Sequence, residues 1–121
     1  MWPPILGKPL PRADEAWVEP RKWKWILGEE GHGKEWKRVF RVPIADPFRV
    51  WGTVAAGLPN APIVSLRMTA YGYGCGMLLY LTLDDRHSHV MTAWHYAQEG
   101  AAPRLVTAYP TTYTRSNGKR T

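Results

Sequence analysis

The spacing of apolar residues changes at Pro62, and that change decides what this chain can fold into. Upstream, Trp23, Ile26 and Leu27, and then Trp36, Val39 and Phe40, recur three and four residues apart. That is the spacing of one helix face. Downstream the apolar residues alternate, as in Met77, Leu79, Leu81 and Leu83, and alternation places them on one side of an extended strand. Four strands are expected, at Ile63 to Tyr71, Met77 to Leu83, His89 to Tyr96 and Arg104 to Tyr109. Gly72 to Gly76, Asp84 to Ser88 and Ala97 to Ala102 supply the turns between them. The expected class is therefore α+β, with N-terminal helices packed on a four-stranded antiparallel β-meander.

The helices have their own punctuation. Pro20 suits the first turn of a short helix that Gly28 ends. A second helix is expected from Lys34 to Val42, stopping before Pro43. Asp46 as N-cap and Pro47 at the first helical position announce a third, which ends near Gly57. Residues 1–15 contain Pro3, Pro4, Pro9 and Pro11 and read as an extended arm or linker. Residues 16–111 read as one domain, with room for a short strand at Ala16 to Glu19, and residues 112–121 as a flexible basic tail. The chain begins at a methionine, which fits either a free-standing protein or a domain cut from a larger one.

Charge narrows the partner. The 121 residues carry a formal charge of +6, and the isoelectric point is near 9.7. A basic surface favours a polyanion such as nucleic acid, although basic domains without such a partner are also common. Seven tryptophans supply core packing first and stacking surfaces second. The single cysteine, Cys75, rules out an internal disulfide. No apolar run is long enough to span a membrane.

Candidate chemistry gathers at two histidines. His32 sits between Gly31 and Gly33 at the entrance of the second helix, where backbone N–H groups attract anions. Lys34, Lys37, Arg38 and Arg41 follow at spacings that form one basic stripe opposite the apolar face. His95 lies in Thr92-Ala93-Trp94-His95-Tyr96, with Trp94 and Tyr96 directed to the other face of the strand. Thr107 and Tyr109 share a face of the last strand. Whether His95 joins them depends on hairpin register, because a slip of one residue reverses the faces. Arg104 suits either a phosphate contact or cover for the sheet edge. His87 and His89, with Asp84 and Asp85, have only weak metal-ligand spacing in a turn, so no metal or other cofactor is expected. The alternating glycines Gly72, Gly74 and Gly76 read as a bulged turn.

Four segments together carry a resemblance: Gly31-His32-Gly33, Trp36-Lys37-Arg38-Val39-Phe40, Thr92-Ala93-Trp94-His95-Tyr96 and Ala102-Pro103-Arg104-Leu105-Val106-Thr107-Ala108-Tyr109-Pro110. They resemble small bacterial domains at the C-termini of polymorphic toxins. The order of helices followed by a meander is similar to the barnase–EndoU–colicin–RelE group of toxin nucleases. The resemblance spans roughly residues 10–111, and Cys75 within a glycine-rich run departs from it.

The resemblance implies a metal-independent endoribonuclease toxin, with transfer RNA among its candidate substrates. The ribose 2′-OH would attack the adjacent phosphate, leaving a 2′,3′-cyclic phosphate and a 5′-OH. His32, His95, Thr107 and Tyr109 would form the catalytic set, and Lys34, Lys37, Arg38 and Arg104 would hold the RNA backbone. The resemblance also implies action in a bacterial cytoplasm after delivery in a secreted toxin, and a cognate immunity or antitoxin protein as a second partner. The alternatives are a non-catalytic nucleic-acid-binding module and an interaction protein of a toxin system. The first accounts for charge and aromatics without giving histidines beside hydroxyls a task, and the basic charge argues against the second, since such partners of basic toxins tend to be acidic.

Overall fold

The computed structural model describes residues 2–41 and 47–111. Within them three helices precede four strands: α1 (Lys22–Ile26), α2 (Gly33–Phe40), α3 (Pro47–Gly57), β1 (Ile63–Thr69), β2 (Gly72–Leu83), β3 (Arg86–Tyr96) and β4 (Arg104–Thr111). The strands form one antiparallel sheet in the order β1-β2-β3-β4. This is the α+β arrangement that the change of spacing at Pro62 predicts.

The helices cover one face of the sheet. Ile26 and Leu27 from the α1 region, Trp36 and Phe40 from α2, and Val50 and Val54 from α3 are buried against Met77, Leu79, Leu81, Val90, Trp94 and Leu105. Two hydrogen bonds inside this layer satisfy polar groups that burial would otherwise leave unpaired. The Trp94 indole N–H donates to Thr92 Oγ1 at 2.8 Å, and the Thr92 hydroxyl donates to the Met77 carbonyl at 3.0 Å. The Trp36 indole donates to the Ala108 carbonyl at 3.1 Å, which ties α2 to β4.

Helix α2 ends sooner than its spacing predicts. Arg41 takes a left-handed conformation, with φ of 59°, and its N–H closes on the Lys37 carbonyl. The expected continuation to Val42, the Asp46 N-cap and the 112–121 tail lie outside the described residues.

Two turn assignments need correction. Gly72 to Gly76 is not a turn but the beginning of β2, and only Ala70 and Tyr71 stand between Thr69 and Gly72. Likewise β3 starts at Arg86, so the turn before it is only Asp84-Asp85. The physical reason is period two. Tyr73 and Cys75 continue the series Met77, Leu79, Leu81 and Leu83 on the core face, leaving Gly72, Gly74 and Gly76 on the other.

Residues 2–15 are packed against the domain, with turns at Leu6-Gly7 and Pro11-Arg12 and a 3-10 turn at Ala13–Glu15 between short extended pieces. Trp2 meets Tyr73 and Tyr96 edge to face, and Leu10 and Pro11 are buried. The Tyr96 hydroxyl donates to the Pro11 carbonyl at 2.6 Å. Gly7 and Lys8 exchange backbone hydrogen bonds with Ile63 at the start of β1. The expected strand at Ala16 to Glu19 reduces to a single parallel bridge between Trp17 and Arg104, which covers one end of β4. No described helix is long and apolar enough to cross a membrane.

Candidate functional site

The face of the sheet away from the helices carries the candidate chemistry. Register places its side chains in rows: Arg67, Gly74, His95 and Arg104 in one, then Ser65, Gly76, Ala93 and Thr107 in the next, then Leu78, Met91 and Tyr109. Both edge strands carry a bulge at the second row. Val64 is the extra residue in β1, and Val106 is the extra residue in β4. Bulges bend and twist a strand locally. Here they bracket a row of glycine and alanine, and the result is a cavity of about 680 Å³.

At Gly74 the floor of the cavity is bare backbone, while the Ser65 hydroxyl lies over the neighbouring Gly76. Gly74 has room beyond it, since the nearest atom to a Cβ placed there is the Arg67 carbonyl oxygen at 3.9 Å. Arg67 and His95 flank that position on neighbouring strands, so their Cα atoms are about 10 Å apart at ~4.8 Å per strand spacing. The residue between them is Gly74, which has no side chain of its own. The imidazole of His95 leans toward Gly72, its Nε2 3.2 Å from where a Gly72 Cβ would lie. Gly72 has φ of +125°, a conformation open to glycine and hostile to L side chains.

Tyr109 forms part of the opposite wall, and His32 reaches it from outside the sheet. The two rings lie 4.7 Å apart and tilted by 31°, with Trp25 edge-on to His32 at 5.9 Å. His32 is the N-cap residue of α2, and its Nδ1 is 3.8 Å from a Glu35 carboxylate oxygen. The His32 N–H donates to the Trp25 carbonyl at 3.1 Å, and only glycine fits at position 31, where a Cβ would sit 1.8 Å from that oxygen.

The structure therefore brings His32 to Tyr109, and Tyr109 and His95 to one cavity. Thr107 shares their face by register but does not line the cavity. Its Oγ1 is buried with no hydrogen-bond partner among the described residues. Lys34, Lys37 and Arg38 are exposed on α2, with Trp36 and Phe40 turned to the core. Their stripe begins one residue beyond Gly33, at the margin of the site.

Arg104 is paired with His95 in register, but its guanidinium lies 3.9 Å from Glu19 and is half-buried beside the Trp17 bridge. Its charge is partly answered there, and it covers the sheet edge. Arg67 is the lining cation that the sequence does not single out. The signal for it is positional: it becomes visible only once Gly74 is recognised as a strand residue facing the same way.

Among the described residues Arg67 is the one fixed charge lining the cavity, with the His95 imidazole beside it and no carboxylate. Cys75 is on the core face behind the floor, and burial pushes its thiol from 9.0 up to about 11, so it is a poor nucleophile near neutrality. Among the described residues no three His, Cys, Asp or Glu side chains are placed to hold a metal ion together. The chemistry the arrangement can perform is the binding of an anion over the Gly74 floor, with an imidazole on one side and a phenol backed by a second imidazole on the other. In comparisons with known proteins the chain matches no family model, no curated protein and no solved structure.

Proposed function

We propose that this protein is a metal-independent endoribonuclease, a toxin of the kind its sequence resembles, and that the open face of its sheet holds the scissile phosphate. The observation that carries the reading is the row Arg67, Gly74 and His95, in which a cation and an imidazole flank a floor without side chains. A phosphodiester needs that arrangement: close approach to backbone, a fixed positive charge for the phosphate oxygens and a titratable group beside them. A carboxylate-free lining suits a substrate that is itself anionic.

In this reading one group removes the proton of the ribose 2′-OH, and the 2′-oxygen forms a bond to phosphorus. The bond from phosphorus to the 5′-oxygen breaks, and a second group protonates that leaving oxygen. His95 takes one proton-transfer role, and His32 with Tyr109 supplies the other from across the cavity. Arg67 stabilises charge on the phosphate, with Lys34, Lys37 and Arg38 holding flanking backbone. Thr107 and Arg104 support the strand that carries Tyr109 rather than touching phosphate. RNA is the substrate, a cognate immunity or antitoxin protein the second partner, and a bacterial cytoplasm the place of action.

The test is direct. The purified chain is incubated with total RNA in EDTA, and the new ends are analysed. Cleavage that leaves 2′,3′-cyclic phosphate and 5′-OH ends is expected. Intact RNA, or 5′-phosphate ends, would refute the reading.

A further inference from the structure

The open face does not stop at the cavity. Toward the Asp84-Asp85 turn the next rows are Tyr80 with His89 and Thr82 with His87. Tyr80 and His87 have parallel ring planes, within 2° at a centroid separation of 6.0 Å, and His89 stands edge-on to Tyr80 at 4.9 Å. We infer that these three rings form a base-stacking subsite for single-stranded RNA running along β2 and β3 out of the cavity. The inference rests on the reading of that cavity as an RNA site and extends it to the neighbouring nucleotides.

Four observations support it. First, Tyr80 is 62% exposed in the middle of a strand, where a ring serving only to pack would be covered. Second, His87 is held in orientation by a 2.9 Å hydrogen bond between its Nδ1 and the Thr82 hydroxyl. A ring fixed before binding loses less freedom when a base stacks on it.

Third, the distance fits. From Ala93 on the cavity floor to His89 is four residues along β3, about 13 Å at ~3.3 Å per residue, a span that a few nucleotides of extended strand cover. Fourth, local charge does not oppose a polyanion. Asp84 is paired with Arg49 at 2.7 Å, and Asp85 is followed by Arg86. Flat rings beside a cationic groove are the general recipe for holding single strands without reading their sequence, because every base has a face to stack.

The test uses the full chain and a short 2′-O-methyl oligoribonucleotide, which has no free 2′-OH to react, so binding is read apart from cleavage. Fluorescence anisotropy compares wild type, the double variant Tyr80→Ala/His89→Ala, the single variant Tyr80→Trp, and Gly74→Val as a blocked-cavity control. The double variant should bind about tenfold more weakly or worse, as removal of a stacking ring implies. Its salt slope should match wild type, since every phosphate-binding cation is still in place. Tyr80→Trp should bind at least as tightly as wild type.

Undiminished binding by the double variant, beside abolished binding by Gly74→Val, overturns the stacking subsite and leaves the cavity reading standing. A Tyr80→Trp variant as weak as the alanine form also overturns it, because stacking accepts indole. If wild type itself does not bind the oligonucleotide, both readings fall together.

Discussion

His95 and Tyr109 face the same cavity because one residue, Val106, is left over between their strands. Trp94 pairs with Leu105, whereas Ala93 pairs with Thr107. Without the extra residue Thr107 would oppose Thr92, Tyr109 would oppose Val90, and both would turn into the core with Trp94 and Tyr96. The bulge reverses the faces of β4 from that point on and aims Thr107 and Tyr109 at the open face. The candidate site is therefore a product of register.

That relationship yields a prediction for catalysis. His95→Ala should slow RNA cleavage by about 10²–10⁴ while leaving RNA affinity nearly unchanged, because removing a proton carrier costs rate more than binding. The His95 side chain is half-buried on the open face and takes no part in the core side-chain hydrogen bonds of Trp36, Thr92 and Trp94, so the fold should survive. His32→Ala and Tyr109→Phe should each show a partial loss, and the pair together should lose less than the product of the two, because their rings act in contact. Single-turnover cleavage with separately measured affinity checks this. Cleavage by His95→Ala at the wild-type rate would remove His95 from the mechanism.

The helices, the order of the strands and the α+β class are all legible in residue spacing, because burial imposes a period that sequence must obey. The faces of β3 are legible too, since Trp94 and Tyr96 alternate with His95. The register of β3 on β4 is not, because a bulge at Val106 leaves no mark in composition: valine is an ordinary strand residue. The glycines of β2 mislead for a related reason. Gly72, Gly74 and Gly76 look like turn residues until Tyr73, Cys75 and Met77 are counted as a strand face. Arg67 goes unnoticed as a consequence, since its place beside His95 depends on that strand.

The basic face of α2 gives a second prediction. Lys34, Lys37 and Arg38 are all exposed, while Trp36 and Phe40 anchor the helix from behind. Reversing Lys34 and Lys37 to glutamate should leave the fold in place. It should weaken RNA binding and flatten the dependence of log affinity on log salt by roughly one unit for each phosphate that the helix no longer neutralises. Titrations at several salt concentrations measure the slope. A double variant with the wild-type affinity and slope would place this helix outside the RNA path.

A third prediction concerns stability. Thr92 is fully buried, and its hydroxyl both accepts from the Trp94 indole and donates to the Met77 carbonyl. Thr92→Val keeps the shape but strands the Trp94 indole N–H in the core and removes the hydroxyl's bond to the Met77 carbonyl. The expected cost is about 1–3 kcal/mol for each buried group left unsatisfied. Thr92→Ser keeps the hydroxyl and should recover part of that loss, limited by the cavity of one missing methyl. Chemical denaturation of the two variants separates the terms. Equal stability of Thr92→Val and wild type would show that the relay contributes nothing.

The last prediction is a pH dependence carried by Cys75 and Tyr96. Burial raises the Cys75 thiol from 9.0 to about 11. It also raises the Tyr96 phenol above its usual 10.0, with proximity to Cys75 adding to the effect. Both groups are acids that the folded state prefers to keep protonated. Below pH 9 the thiol is protonated whether the chain is folded or not, so it makes no difference to stability there. Between 9.0 and about 11 the unfolded chain releases the proton and the folded chain retains it, so stability falls as pH rises. Two pH units correspond to about 2–3 kcal/mol. Tyr96 adds a second decline that starts near its unfolded value of 10.0. Cys75→Ala deletes the first decline and keeps the part of the second that comes from burial of Tyr96 alone. The stability difference between wild type and this variant should be flat below pH 9 and shift in favour of the variant above it, while lysine titration, common to both chains, cancels. Melting temperatures recorded from pH 7 to 11 test this, and parallel curves for the two proteins would show that the thiol does not titrate with unfolding.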